Sequence, residues 1–209
     1  MIDGKSALKS ELLYPAMVVG LYGGSFDPPH DGHRHVARKA MKKIGLDRIW
    51  WLVSPGNPFK PEPSAPISKR LTLARSLMQE PRMIVTDFET TLSQNRTYDV
   101  VRHLQKSHPS VRFVWIMGAD SFMGIHRWYK WQQLVKSVPL CVVSRRSALR
   151  KAQNSHAAVY LRRYFIADTR AKSLPFSTPG WTYLASKLHA QSSSQLRQNK
   201  TYKSLNYGL

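Results

Sequence analysis

Apolar residues in this chain follow two rhythms, short continuous runs and longer stretches with a helical repeat, and the two alternate. MVVGLY (17–22) is a short apolar run ending at Gly23 and Gly24, the pattern of a buried strand meeting a turn. From His33 the period changes: Val36, Ala37, Ala40, Met41 and Ile44 mark one helical face, and Arg34, Arg38, Lys39, Lys42 and Lys43 the other. Gly45 stops that helix. DRIWWLVS (47–54), rich in β-branched and aromatic residues, predicts a second strand. Five prolines in SPGNPFKPEPSAPIS (54–68) exclude regular structure there. Leu71, Ala74, Leu77 and Met78 then repeat as a helix to about Gln79, with Ser68 as its cap. RMIVTDFE (82–89) reads as a third strand, NRTYDVVRHLQKS (95–107) as a helix capped by Thr97, and VRFVWIMG (111–118) as a fourth strand. A mixed helical stretch rich in Trp and Tyr reaches about Lys136, and VPLCVVS (138–144) is a fifth strand.

This alternation, with strands apolar on both sides, predicts an α/β fold: a doubly wound, mainly parallel sheet with helices on both faces. Further along, SHAAVYLRRYF (155–165) reads as a basic amphipathic helix, KSLPFSTPG (172–180) as a loop, WTYLA (181–185) as a short final strand and SSSQLRQN (192–199) as a capped helix start. These give a small helical C-terminal part. There is no internal repeat, and the chain reads as one domain over 17–209 behind an N-terminal extension, 1–16. Ligands of such sheets bind beyond the carboxyl ends of the strands. Those ends are Gly23–His33, Ser54–Lys60, Gly118–Ser121 and Ser144–Arg146.

Composition changes this picture little. With 209 residues, 42% hydrophobic and 21% charged, the chain can bury an ordinary core. The single cysteine, Cys141, lies in an apolar run and reads as a core residue in a reducing compartment. No apolar run is long enough for a membrane span, and MIDGKSALKSELLYPAM lacks the apolar stretch of a secretory signal, so a soluble, cytoplasmic protein is expected. The net charge of +20 does alter the expectation, since it attracts polyanions. Its 32 basic residues are spread without a block of five, so a phosphorylated small molecule explains the charge as well as nucleic acid does.

GGSFDPPHDGH (23–33) joins the first strand to the first helix, where the helix's opening N–H groups and positive dipole end favour an anion. Paired glycines leave the main chain open to a phosphate. His30 and His33, three apart, can reach one anion and neutralise charge that builds as pyrophosphate leaves. A plain strand–helix turn with exposed histidines is the alternative. Zinc lacks further ligands, and neither GxxxxGK(S/T) nor GxGxxG is present.

Taken whole, the stretch resembles the nucleotidyltransferase signature G-G-S/T-F-D-P-x-H-x-G-H, matched at Gly23, Gly24, Ser25, Phe26, Asp27, Pro28, His30, Gly32 and His33. That superfamily has a Rossmann-like α/β fold and binds a nucleoside triphosphate through the two histidines. Three further stretches resemble bacterial nicotinate-nucleotide adenylyltransferases. SPGNPFKP (54–61) is similar to their loop after the second strand, with Asn57 and Lys60; RTYDVVRHL (96–104) to the Thr-Tyr motif, Thr97 and Tyr98; MGADSFMGIHRWYKWQQL (117–134) to the block that holds Gly118, Asp120 and Trp128. QSSSQLR (191–197) resembles the second phosphate motif, with Ser192, Ser193, Ser194 and Arg197; Gln191 and Ser194 depart from its usual residues.

The resemblance implies adenylyl transfer from ATP to nicotinate mononucleotide, giving deamido-NAD and pyrophosphate, with Mg²⁺ carried by ATP and no protein metal site. It implies catalysis by His30 and His33. ATP would bind at Gly23, Gly24, Ser25, Phe26, Gly32, Gly118, Asp120, Ser192, Ser193, Ser194 and Arg197. The mononucleotide would bind at Asp27, Asn57, Lys60, Thr97, Tyr98, Trp128 and Arg145. Asp120 suits ribose hydroxyls, and Trp128 offers a flat face to a pyridine ring. No nucleic acid or membrane partner is expected, and homo-oligomers are open. Rivals are transfer to nicotinamide mononucleotide or pantetheine phosphate, and a basic RNA-binding module.

Overall fold

The computed structural model describes residue 8, residues 11–56 and residues 64–186. Among the described residues seven strands form one sheet: β1 (Val18–Gly24), β2 (Arg48–Val53), β3 (Met83–Thr86), β4 (Arg112–Met117), β5 (Leu140–Arg145), β6 (Phe165–Ile166) and β7 (Trp181–Ser186). Every paired neighbour is parallel, in the order β3-β2-β1-β4-β5-β7-β6. The direction of winding reverses between β1 and β4, and the crevice beyond their carboxyl ends is where such a sheet binds ligands.

Alternation along the strands builds two cores. Val19, Leu21, Trp50, Leu52, Phe113, Trp115 and Met117 face one side, covered by helices α3 (Thr97–Ser107), α4 (Ala119–Gly124), α5 (Trp131–Ser137), α6 (Leu149–Gln153) and α7 (His156–Tyr160). Val18, Tyr22, Ile49, Trp51, Val114, Ile116 and Cys141 face the other, covered by α1 (Asp31–Ala40) and α2 (Ile67–Leu77). The face Ala37, Ala40, Met41 and Ile44 packs inward as its spacing predicts. Beyond Ala40 the helix widens into a π turn, Met41–Gly45, and ends at Gly45 with φ +80°.

The local differences from expectation have physical reasons. Ser68 does not cap α2; Pro66 takes that place, and Ser68 offers its carbonyl to the Thr72 hydroxyl inside the helix. Thr97 is likewise the first residue of α3, behind Arg96. The third strand stops at Thr86, and a 3-10 turn, Phe88–Thr91, follows. The helix expected over 155–165 is only α7, because Phe165 and Ile166 instead pair with Trp181 and Thr182 of β7 as an edge strand. Residues 168–176, partly expected as loop, wind as 3-10 turns. These short helices precede the last described strand, and the helix start expected at 192–199 lies outside the described residues. Ahead of β1, Leu8 is buried in the core and Glu11 pairs with Arg48 at 2.6 Å, at the sheet end away from the crevice. Among the described residues, no helix is long and apolar enough to cross a membrane.

Candidate active site

β1 ends at Gly24 and α1 begins at Asp31, with His30 at its N-cap position in extended backbone (φ −150°, ψ 170°). The His30 and His33 rings lie side by side in a tilted pair, centroids 3.9 Å apart and 33° between planes. His33 Nδ1 accepts the His30 N–H at 3.2 Å. A ring nitrogen that accepts carries no proton, so in this arrangement the His33 proton sits on Nε2, as a donor at the other side of the ring. The backbone closes the same turn, His33 N–H donating to the His30 carbonyl at 2.8 Å.

The loop beneath is filled by the protein's own rings. Phe26 stacks on Trp51 at 4.7 Å, meets Tyr22 edge-on at 5.2 Å and supports His33 at 5.1 Å. Its backbone is left-handed, φ +43°, a strained position for a bulky residue that this packing holds. A side chain on Gly23 would meet the Trp115 ring at 2.5 Å, and one on Gly24 the Phe26 ring at 3.2 Å. The room left by the paired glycines is therefore taken by aromatic packing, and only their backbone is left to face a ligand. Gly32 lies in the first turn of α1.

Arg70 is the residue the sequence reading missed. It is 1% exposed, and its guanidinium donates to four carbonyls: Ala65 (2.7 Å), Ser25 (2.7 Å), Ser54 (2.7 Å) and Pro55 (3.0 Å). One buried cation thus ties the loop after β1 to the loop after β2. Asp27, 2% exposed, joins the tie by accepting the Ala65 N–H at 3.4 Å; it lies under the loop, not in an open crevice. The available signal was position: Arg70 shares the i, i+4, i+8 stripe with Ala74 and Met78, a face that is buried.

Across the switch point, Gly118 precedes α4 with open space where a side chain would be. Asp120 is exposed in the first turn of α4. Its charge reaches Tyr183 of β7, whose phenol is raised mainly by burial and is hydrogen-bonded to Ser144 at the end of β5. β7 ends beside α1, where Ser186 hydrogen-bonds His35. The carboxyl ends of β1, β4, β5 and β7 thus border one crevice.

Trp128 stands edge-on to Trp115 of β4 at 6.5 Å, and Trp115 fills the space under Gly23. Tyr129 meets Tyr98, the second residue of α3, at 6.5 Å. Thr97, Tyr98 and Trp128 are half-buried, and Tyr98 and Trp128 pack against the core on the α3 side of the sheet. Trp115 and Trp181 are core residues, the latter donating to the Leu161 carbonyl at 3.1 Å, and Trp131 packs on Tyr160. Under this flank the Phe88–Thr91 turn buries Glu89, 5% exposed, and burial pushes its carboxyl up to about 8. Asn57, Lys60, Ser192, Ser193, Ser194 and Arg197 lie outside the described residues, as does the side chain of Arg145.

Comparison with known proteins bears on this arrangement as a whole. The cytidylyltransferase-like family model matches residues 21–199. A Cereibacter sphaeroides protein named "Probable nicotinate-nucleotide adenylyltransferase" is 46% identical over 182 residues, 87% of this chain and 96% of its own. Proteins of the same name from Ruegeria pomeroyi and Parvibaculum lavamentivorans are 44% and 40% identical, over 88% and 91% of this chain and 86% and 96% of theirs. Among solved structures, Plasmodium falciparum nicotinic acid mononucleotide adenylyltransferase complexed with NaAD shares the fold, with TM-score 0.65 and 19% identity over 87% of this chain and 83% of its own. With the HxGH histidines at the switch point of a Rossmann-like sheet and relatives this similar over most of their length, the chain belongs to the cytidylyltransferase-like family and, within it, to the nicotinate-nucleotide adenylyltransferases.

Proposed function

We propose that this chain transfers the adenylyl group of ATP to nicotinate mononucleotide, forming deamido-NAD and pyrophosphate in NAD biosynthesis. The observation that carries the reading is the His30–His33 pair at the head of α1, ring centroids 3.9 Å apart beside the sheet's switch point. The mononucleotide phosphate is ionised at neutral pH and needs no general base. One of its oxygens attacks the α-phosphorus of ATP, the bond from that phosphorus to the bridging oxygen breaks, and pyrophosphate leaves with the electron pair. Catalysis then consists of in-line positioning and stabilisation of developing charge.

His33 Nε2–H donates to the phosphates, with His30 beside it and the N–H groups of the first turn of α1 behind both. The backbone of Gly23, Gly24 and Ser25 borders the triphosphate. Gly118 leaves room for adenosine, and Asp120 accepts from ribose hydroxyls. Phe26 and Asp27 act from below, by holding the loop. Motif resemblance supports a second jaw at Ser192–Ser194 and Arg197, and acceptor contacts from Asn57, Lys60 and Arg145. Thr97, Tyr98 and Trp128 border the pyridine. Mg²⁺ enters as part of the ATP substrate, on phosphate oxygens that keep several waters around it. A cytoplasmic setting suits a chain whose one thiol, Cys141, is buried.

The test is pyrophosphate release with ATP and each acceptor in turn: nicotinate mononucleotide, nicotinamide mononucleotide and pantetheine phosphate. Turnover is expected to be fastest with the first. His33→Ala should lower kcat by about 10²–10³ with an unchanged circular dichroism spectrum, the size of losing one oriented donor to a developing charge. Near-wild-type rates in that variant would sink the assignment of His33.

A further inference from the structure

The acceptor flank carries charge that local stability does not explain. Arg96 is the N-cap residue of α3, a position that favours Ser, Thr, Asp or Asn and, at the positive end of the dipole, disfavours a cation. Lys130 stands between Trp128 and Trp131 in left-handed backbone, φ +48°, which costs a lysine conformational energy. Both cations converge on one aromatic pair. Arg96 Cζ lies 4.2 Å from the Tyr129 ring centroid, and Lys130 Nζ lies 5.1 Å from that centroid and 5.3 Å from that of Tyr98. The Lys130 ammonium also hydrogen-bonds the Tyr129 side chain, which with that ring's charge and those of Tyr98 and Asp99 raises its pKa and keeps it charged. Asp99 is the acidic group facing Lys130 here, so two cations stand against one carboxylate.

We propose that Arg96 and Lys130 are the charge selectors of the acceptor site, favouring a pyridine that bears a carboxylate over one that bears a neutral carboxamide. This rests on the function proposed above. Both acceptors share the ribose phosphate, so attraction of that group cancels when they are compared. What remains is the pyridine substituent, beside Trp128 and the Tyr98–Tyr129 pair over which the two cations sit. Both cations are exposed, so each contributes modestly and through a field that salt screens.

The experiment measures kcat/KM of the full chain for nicotinate and nicotinamide mononucleotide, in wild type, Arg96→Gln, Lys130→Gln and the double variant. Wild type should favour the nicotinate form. Each single substitution should reduce that preference about two- to fivefold, and the double about five- to tenfold. The loss should fall more heavily on KM for nicotinate mononucleotide than on KM for the nicotinamide form, and leave KM for ATP unchanged. Arg96→Lys, which keeps the charge, should retain most of the preference. Raising salt from about 50 to about 300 mM should erode the preference in wild type more than in the double variant. A double variant with unchanged preference, or with both acceptors impaired equally, would overturn the selector role while the adenylyltransferase reading stood. A wild type that adenylylated neither pyridine nucleotide would overturn both.

Discussion

The two sides of the crevice are built differently. On the phosphate side the loop from Gly23 to His33 is filled from beneath: Trp115 occupies the space by Gly23, Phe26 stacks on Trp51, and Arg70 holds the backbone through buried hydrogen bonds. On the acceptor side Arg96, Tyr129 and Lys130 are exposed and held mainly by cation–aromatic contacts. A triphosphate is the same in every member of a superfamily, so its jaw gains from being rigid before ligand arrives. An acceptor differs from member to member. Exposed side chains over a fixed aromatic pair can be exchanged without disturbing the core. On the function proposed above, rigidity lies where the chemistry is shared, and replaceable charge where specificity is set.

The sharpest way to break the comparison is to loosen the rigid side. Arg70→Met leaves four carbonyls without their donor and should cost about 3–5 kcal/mol in urea unfolding, within the range for a broken buried charge network. Arg70→Lys keeps the charge but not the fork of donors. It should fold, with kcat down about tenfold and KM raised for both substrates, because both loops hang on the one side chain. A kinetic defect confined to one substrate would mean the loops are held separately. Gly23→Ala should come next, at about 1–3 kcal/mol, since the new methyl group meets the Trp115 ring at 2.5 Å. A Gly23→Ala, Trp115→Phe pair should recover part of that loss. No recovery would place the strain in the backbone.

Much of this was legible in the chain, for reasons that differ by residue. The strands other than the edge strand β6 were legible because both faces of a parallel sheet are covered, so Val19–Tyr22 and Val114–Met117 carry unbroken apolar runs. His30 and His33 were legible because a dense motif fixes them at a strand–helix junction. Arg70 was not, since an arginine on an apolar stripe looks like a solvated neighbour until the carbonyls around it are seen. Ser68 and Thr97 mislead for the opposite reason: both are residues that favour caps, yet Pro66 and Arg96 hold those positions. The selector role of Arg96 and Lys130 depends on two segments some thirty residues apart meeting at Tyr129, which no local pattern encodes.

The smallest expected effect probes what lies under the adjustable side. Glu89 is buried below α3, its turn set against that helix by the Phe88–His103 ring contact at 5.5 Å. Burial raises its carboxyl from the ordinary 4.5 to about 8, so the folded chain keeps a proton that the unfolded chain has lost in that window. The unfolded state then binds fewer protons, and stability must fall as pH rises from about 5 to about 8, flattening above it. Gln mimics the protonated carboxyl without titrating. Glu89→Gln should therefore stay close to wild type near pH 5 and exceed it increasingly toward pH 8.5, read as diverging urea midpoints. Parallel midpoints across the range would mean that Glu89 stays ionised when folded. In that case the acceptor flank, like the phosphate loop, rests on a buried charge, and the contrast between the two sides would be confined to their surfaces.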